Sequence, residues 1–213
     1  MTQIPLWIQL IILFFSIVVH ECSHGWVANQ LGDPTARLSG RLTLNPLPHI
    51  DIMGTILLPL ILIITHSPIL FGWAKPVPIN PYNFVNPRRD MMKVAFGGPG
   101  SNLALALVAS GLFWLTNALV GYNISTQLWM NTLLFMGFIN ILLAVFNLVP
   151  IPPLDGSRIV SGLLPPHAAM TYERITPMGF FIIFILLFTG VLWYLLGPVL
   201  NFFMHILFGP GLM

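Results

Sequence analysis

Residues 4–29, IPLWIQLIILFFSIVVHECSHGWVAN, run almost without charge for long enough to cross a bilayer. A hydrocarbon core about 30 Å thick is crossed by about 20 helical residues. Backbone amides inside it find no water, so an isolated spanning run must be a helix. Three further runs meet the same requirement, at about 92–120, 128–149 and 177–196. Composition closes off the soluble classes: 7% of the 213 residues are charged, against about a quarter in soluble domains. The predicted fold class is an all-α polytopic membrane protein with four long transmembrane helices, organised as a single domain over 1–213.

Between the first two spans the pattern is less regular. The apolar stretch 52–73 is interrupted by Pro59 and Pro68, and is predicted to be re-entrant or a hairpin. ARLSGRLTL (36–44) alternates polar and apolar residues and reads as a strand. The prolines of KPVPINP (75–81) forbid helix and keep that segment extended. The C-terminal VLNFFMHILF follows Gly197–Pro198 and is short for a span. MTQIPLWIQL lacks the basic start of a cleavable signal, so the first helix is expected to be permanent. Cys22 is the only cysteine, which excludes an intrachain disulfide.

The basic residues orient the chain. Arg37, Arg41, Lys75, Arg88, Arg89, Lys93, Arg158 and Arg174 all fall on one side if 52–73 makes no net crossing. The positive-inside rule makes that side the cytoplasm. The expected setting is therefore an integral protein of a prokaryotic plasma membrane, its N-terminus outside.

His20, Glu21 and His24 are then the anomaly. On a helix His20 and His24 share a face one turn apart, with Glu21 about 100° around. Two neutral imidazoles at that spacing bind zinc, and a carboxylate beside them takes a proton from the activated water. The bland alternative is a polar helix end. Against it, an acidic group within a spanning helix costs about 2.5–3.5 kcal/mol on insertion scales and is functional by default. His20 lies about 24 Å along a helix begun at Ile4, toward the cytoplasmic side.

A catalytic zinc needs a third protein ligand and an open position. Asp33, Asp51, Asp90 and Glu173 lie in loops with basic or turn residues. Asp155 instead follows a long apolar run in FNLVPIPPLDGSRI, where Pro150, Pro152 and Pro153 enforce extended backbone. Its bland alternative is a helix N-cap. The run 128–149 returns Asp155 to the membrane face at which His20 and His24 end, so the two halves of a site can meet.

HECSH with a downstream NLVPIPPLDG resembles the site-2 protease family of intramembrane zinc metalloproteases. GGPGSN (97–102) is similar to the family's Gly-Pro-x-x-Asn motif, and the likeness covers about 4–175. The resemblance implies His20, His24 and Asp155 as zinc ligands and Glu21 as general base. It implies that Asn147 helps to hold the substrate or the oxyanion, and that 36–44 and 74–80 form a small membrane-associated β element. It implies single-span or other membrane-protein substrates in the bilayer, while, as a departure from many members, the chain leaves no room for a PDZ or CBS domain and a short form is expected. No nucleic-acid partner is expected, and the oligomeric state is left open.

Two alternatives stand beside this reading: another membrane zinc hydrolase, and a metal or proton transporter. The first would draw its third ligand from a later glutamate, and only Glu173 remains. The second is expected to show paired broken helices in two halves, and no internal repeat is present. Asn102 reads as a close-packing position rather than a catalytic group. His49 and Asp51 read as an interfacial polar turn, with a role in orienting a ligand as the alternative. His66, His167 and His205 read as interfacial or loop histidines.

Overall fold

The computed structural model describes residues 4–65 and 72–210. His66 and Pro68 lie outside the described residues. In chain order the helices are α1 (Leu6–Gln30), α2 (Thr35–Leu38), α3 (Leu58–Ile64), α4 (Pro87–Leu119), α5 (Gln127–Asn147), α6 (Asp155–Leu163), α7 (Pro166–Glu173), α8 (Thr176–Phe188) and α9 (Val191–Phe208). Among them α1, α4, α5 and α9 are long and apolar enough to cross a bilayer. A fifth span results if α7 and α8, bent by 61°, count as one. The chain is an integral membrane protein. Large apolar side chains such as Trp7, Leu107 and Phe181 stay exposed on the outside of the bundle, where lipid covers them.

Helix α4 packs against α1, α5 and α6, and α9 closes the bundle against α5. In lipid such contacts depend on close packing rather than on expulsion of water. Small residues therefore set the distances. A Cβ on Gly97 would lie 3.1 Å from the Ser23 carbonyl oxygen, so glycine lets α4 press against α1. A Cβ on Gly137 would lie 2.3 Å from the Phe208 ring, which seats α9 on α5. Ala106, Phe113, Met130, Ile141 and Phe208 fill the interior between these helices.

The C-terminal third corrects the expected span at 177–196. Gly190 adopts φ 75°, a left-handed conformation that ends α8, and α9 then continues through Pro198. Breaking at Pro198 would strand several backbone groups in lipid, each costing several kcal/mol. Running through costs about 3 kcal/mol. Leu192, Leu196, Leu200, Met204 and Phe208, each four residues from the last, form the buried stripe that holds the helix in place.

No strand occurs among the described residues, so the expected β element is not seen. Within 36–44, residues 35–38 are helical, and Gly40 at φ 66° turns the chain. Asp33 is the cause. Its carboxylate accepts from the Thr35 backbone and hydroxyl, and so starts a helical turn. The same carboxylate accepts from the Asn80 backbone and the Asn83 amide. Burial alone would raise its pKa, but these hydrogen bonds outweigh burial and hold the carboxyl below the ordinary aspartate range. The segment 74–80 is extended without a partner strand. Pro76 and Pro78 have no N–H to offer, while Lys75, Val77 and Asn80 donate theirs to His49, Glu21 and Asp33. Side chains complete this backbone in place of a ladder.

The two described ends of the stretch 52–73 meet. A π-helical turn (Ile52–Leu57) leads into α3. The Trp73 N–H then donates to the Gly54 carbonyl at 3.1 Å, and the Thr55 hydroxyl donates to the Trp73 carbonyl at 2.8 Å. A Cβ on Gly54 would lie 2.3 Å from the Trp73 indole, so the two ends close around that glycine. The described ends of the stretch thus lie together, the arrangement expected if it makes no net crossing. On that expectation Arg37 and the 95% exposed Tyr82 share one side, and Ile124, 94% exposed, lies on the other. In a background lacking the buried Cys22, cysteines at 37 and 82 are expected to react with an impermeant maleimide from one face. A cysteine at 124 is expected to react from the opposite face. Opposite sidedness of 37 and 82 would mean that 52–73 spans the bilayer.

Candidate active site and metal centre

Helix α1 carries His20 and His24 on its buried face, their rings edge-on with centroids 4.6 Å apart. Asp155 comes from elsewhere. After α5 ends at Asn147 the proline-rich turn 148–154 runs to the first residue of α6, which is Asp155. Contacts on every side hold this turn. A Cβ on Gly156 would lie 2.2 Å from the Leu148 carbonyl oxygen, and one on Gly179 would lie 1.8 Å from that of Pro152. The Tyr172 hydroxyl donates to the Pro150 carbonyl at 2.7 Å. At the far end of α6, the Arg88 guanidinium donates to the Ser161 and Leu164 carbonyls, a favourable charge at a helix C-terminus.

The three side chains meet. Asp155 Oδ2 lies 3.2 Å from Nε2 of both histidines, and the two Nε2 atoms lie 3.0 Å apart. Ligands about 2.0–2.1 Å from a tetrahedral zinc are about 3.3–3.4 Å from one another, so the triangle fits one ion with little adjustment. The protonation pattern agrees. His24 Nδ1 lies 2.7 Å from the Val94 carbonyl, which can only accept, so Nδ1 carries the hydrogen and Nε2 a bare lone pair. His20 Nδ1 faces Asn102 Oδ1 at 2.6 Å, with the same consequence. Asp155 Oδ2 is buried and no hydrogen-bond donor reaches it. Three acceptors thus face one point, an arrangement that suits a cation.

Helix α4 leaves room for that cation. A Cβ on Gly98 would fall 2.5 Å from both Nε2 atoms, so any side chain there would occupy the shared point. Glu21 sits beside the ligands, half-buried, and accepts the Val77 N–H through Oε2 at 3.0 Å. A cavity of about 400 Å³ joins Glu21 and the three ligands to Asn147 and Arg158. The Asn147 amide donates one hydrogen to the Leu143 carbonyl at 2.9 Å.

His20, Glu21 and His24 of HECSH thus reach one cavity with Asn147 and Asp155 of NLVPIPPLDG. His49 and Asp51 do not orient a ligand: His49 Nε2 donates to the Thr43 carbonyl and Asp51 accepts the Gly54 N–H. Asn102 is closely packed, as expected, but it also bonds His20. Arg158 was missed, although its place three residues after Asp155 puts both on one face of α6. Ser16 and Asn140, both fully buried, were also missed. Ser16 stands one turn before His20, which was a usable signal. Nothing local marks Asn140.

Residues 82–190 match the family model described as peptidase family M50. The chain is 39% identical over 196 residues to "Putative zinc metalloprotease YwhC" of Bacillus subtilis, covering 90% of this chain and 84% of that one. It is 29% identical to "Putative zinc metalloprotease Rip2" of Mycolicibacterium smegmatis, over 83% of this chain and 65% of the relative. Rip2 of Mycobacterium tuberculosis is 32% identical, over 87% and 65%. No solved structure matches the chain. With its paired histidines, its convergent aspartate and these likenesses, the chain belongs to peptidase family M50.

Proposed function

We propose that His20, His24 and Asp155 hold one zinc ion and that Glu21 is the base for hydrolysis of peptide bonds in or near transmembrane segments of other membrane proteins. The observation that carries this is the meeting of three ligand atoms within 3.2 Å beside a half-buried carboxylate in one cavity. When bound, zinc supplies Lewis acidity, polarising a scissile carbonyl and bringing the pKa of a water toward neutrality. Glu21 takes a proton from the attacking water and passes it to the leaving amine. The Val77 N–H holds Oε2 and so orients the carboxylate, leaving Oε1 for the proton. Asn147 has a second amide hydrogen beyond the one given to Leu143, and that hydrogen serves a substrate carbonyl or the developing oxyanion. The single 1–213 domain carries the whole reaction, and family membership gives no support to a transporter.

A transmembrane helix hides its carbonyls, so the substrate unwinds before it is cut. The extended segment 74–80 lies along the cavity beside Glu21, and an unwound peptide pairs with it by strand addition. The β element then forms with the substrate. The eight basic residues favour a site on the cytoplasmic side of a prokaryotic plasma membrane with the N-terminus outside, so that water enters from the cytoplasm.

Three variants test this reading. His20→Ala is expected to lose stoichiometric zinc in metal analysis of the purified protein, and retention of the full complement would overturn the ligand set. Glu21→Gln is expected to keep the zinc while cleavage of a coexpressed single-span reporter drops on the order of 10²–10⁴-fold. Near wild-type cleavage would mean another base. Gly98→Ala separates site from fold. Alanine favours a helix by about 0.8–1.0 kcal/mol over glycine, so α4 persists while zinc is excluded. Gly111→Ala, whose Cβ meets nothing within 4 Å, is the control that keeps its metal. Full zinc in Gly98→Ala would place the ion elsewhere.

A further inference from the structure

Behind the candidate metal centre, three helices share a set of fully buried polar side chains: Ser16 on α1, Asn102 on α4 and Asn140 on α5. The set ends on a proposed ligand. His20 Nδ1 lies 2.6 Å from Asn102 Oδ1, Asn102 Nδ2 donates to Asn140 Oδ1 at 2.8 Å, and Asn140 Nδ2 donates to the Ser16 hydroxyl at 2.9 Å. Asn140 Nδ2 also donates to the Met136 carbonyl at 2.8 Å. Polar pairs between helices in lipid ordinarily act as weak adhesive. Adhesion needs no particular direction along the set. This set has one.

The direction follows from atoms that can only accept. The Met136 carbonyl requires a donor, so Asn140 turns its nitrogen toward Met136 and its oxygen toward Asn102. Asn102 must then present its nitrogen to Asn140, which leaves its oxygen for His20. An oxygen there requires hydrogen on His20 Nδ1, and Nε2 keeps its lone pair. Were the Asn102 amide reversed, its NH₂ would meet Nδ1, the ring proton would move to Nε2, and the ligand atom would be blocked. Apart from Asn140, only a long hydrogen bond of 3.3 Å from Asn102 Nδ2 to the Ser16 carbonyl opposes that reversal among the described residues.

We propose that Asn140 is a positioning residue for the zinc site: through Asn102 it holds His20 in the tautomer whose Nε2 binds the metal. This rests on the zinc reading given above. Removing an outer hydrogen-bond partner of a metal-bound histidine weakens metal binding by about 10–100-fold.

The test is zinc affinity by chelator competition on the purified full chain, with the cobalt(II) visible spectrum as a second readout. Asn140→Leu is expected to bind zinc about tenfold or more weakly and to alter the cobalt spectrum. Asn102→Asp presents an acceptor to His20 whichever way it turns, so in that background Asn140→Leu is expected to cause no further loss. Ser110→Ala removes an unrelated interhelical bond, to the Leu207 carbonyl. It is expected to lower the melting temperature of the metal-free protein while leaving zinc affinity unchanged. Should Asn140→Leu fail to fold, Asn140→Ala removes the same acceptor and takes its place. Wild-type affinity and spectrum in the Asn140 variant, or an equal loss in the Asn102→Asp background, overturns the relay. A wild-type chain that binds no zinc, or a His20→Ala variant that binds it as well as wild type, overturns the metal reading beneath it.

Discussion

Two imidazole lone pairs and a carboxylate oxygen, 3.0–3.2 Å from one another, point at one spot inside a bundle built for lipid. Left without a positive charge between them, they would repel one another at a buried site where screening is weak. Much of the surrounding structure serves to hold that unfavourable meeting together. Gly97 brings α4 against α1, Gly98 leaves the shared point open, and Val94 and Asn102 bond the outer nitrogens of the rings. The close approach that helices achieve in lipid through small residues here also makes the space for an ion.

Bringing Asp155 to that spot requires non-helical backbone near membrane depth, which is tolerated only where protein or water satisfies it. Proline lessens the demand. Pro150, Pro152 and Pro153 have no N–H, so this turn carries three fewer donors than an ordinary one of its length. Of the carbonyls that remain, that of Pro150 is taken by Tyr172. The segment 74–80 follows the same logic. Pro76 and Pro78 offer no donor, and the Val77 N–H goes to Glu21, so the peptide that lies along the cavity also orients the proposed base.

Much of the site was legible in the sequence because its signals are local. An i, i+4 pair on a helix shares a face whatever surrounds it, so His20, Glu21 and His24 announce their geometry unaided. Asp155 stood out because a carboxylate after a proline-interrupted apolar run is costly without a partner. The failures came where local pattern competed with a long-range contact. Alternation in 36–44 suggested a strand, but Asp33, bonded to Asn80 and Asn83, turned that stretch into a helical turn. Gly197–Pro198 suggested a break, but backbone in lipid keeps a helix intact past one lost hydrogen bond.

The sequence by itself determined the solvent, the number of long apolar runs and the chemistry of the proposed ligands. Each of these follows from side-chain type and short spacing, which no distant contact can alter. Tertiary structure alone decided which glycine abuts the two imidazoles, which outer nitrogen bonds which acceptor, and where the last two helices divide. Gly98 and Gly111 look alike in the sequence, yet one abuts both imidazoles and the other meets nothing. Asn140, 38 residues from Asn102 and 124 from Ser16, carries no local sign of its neighbours. The physical reason is that a hydrogen bond across packed helices depends on rotation and depth, and those are set by the whole bundle rather than by any one segment.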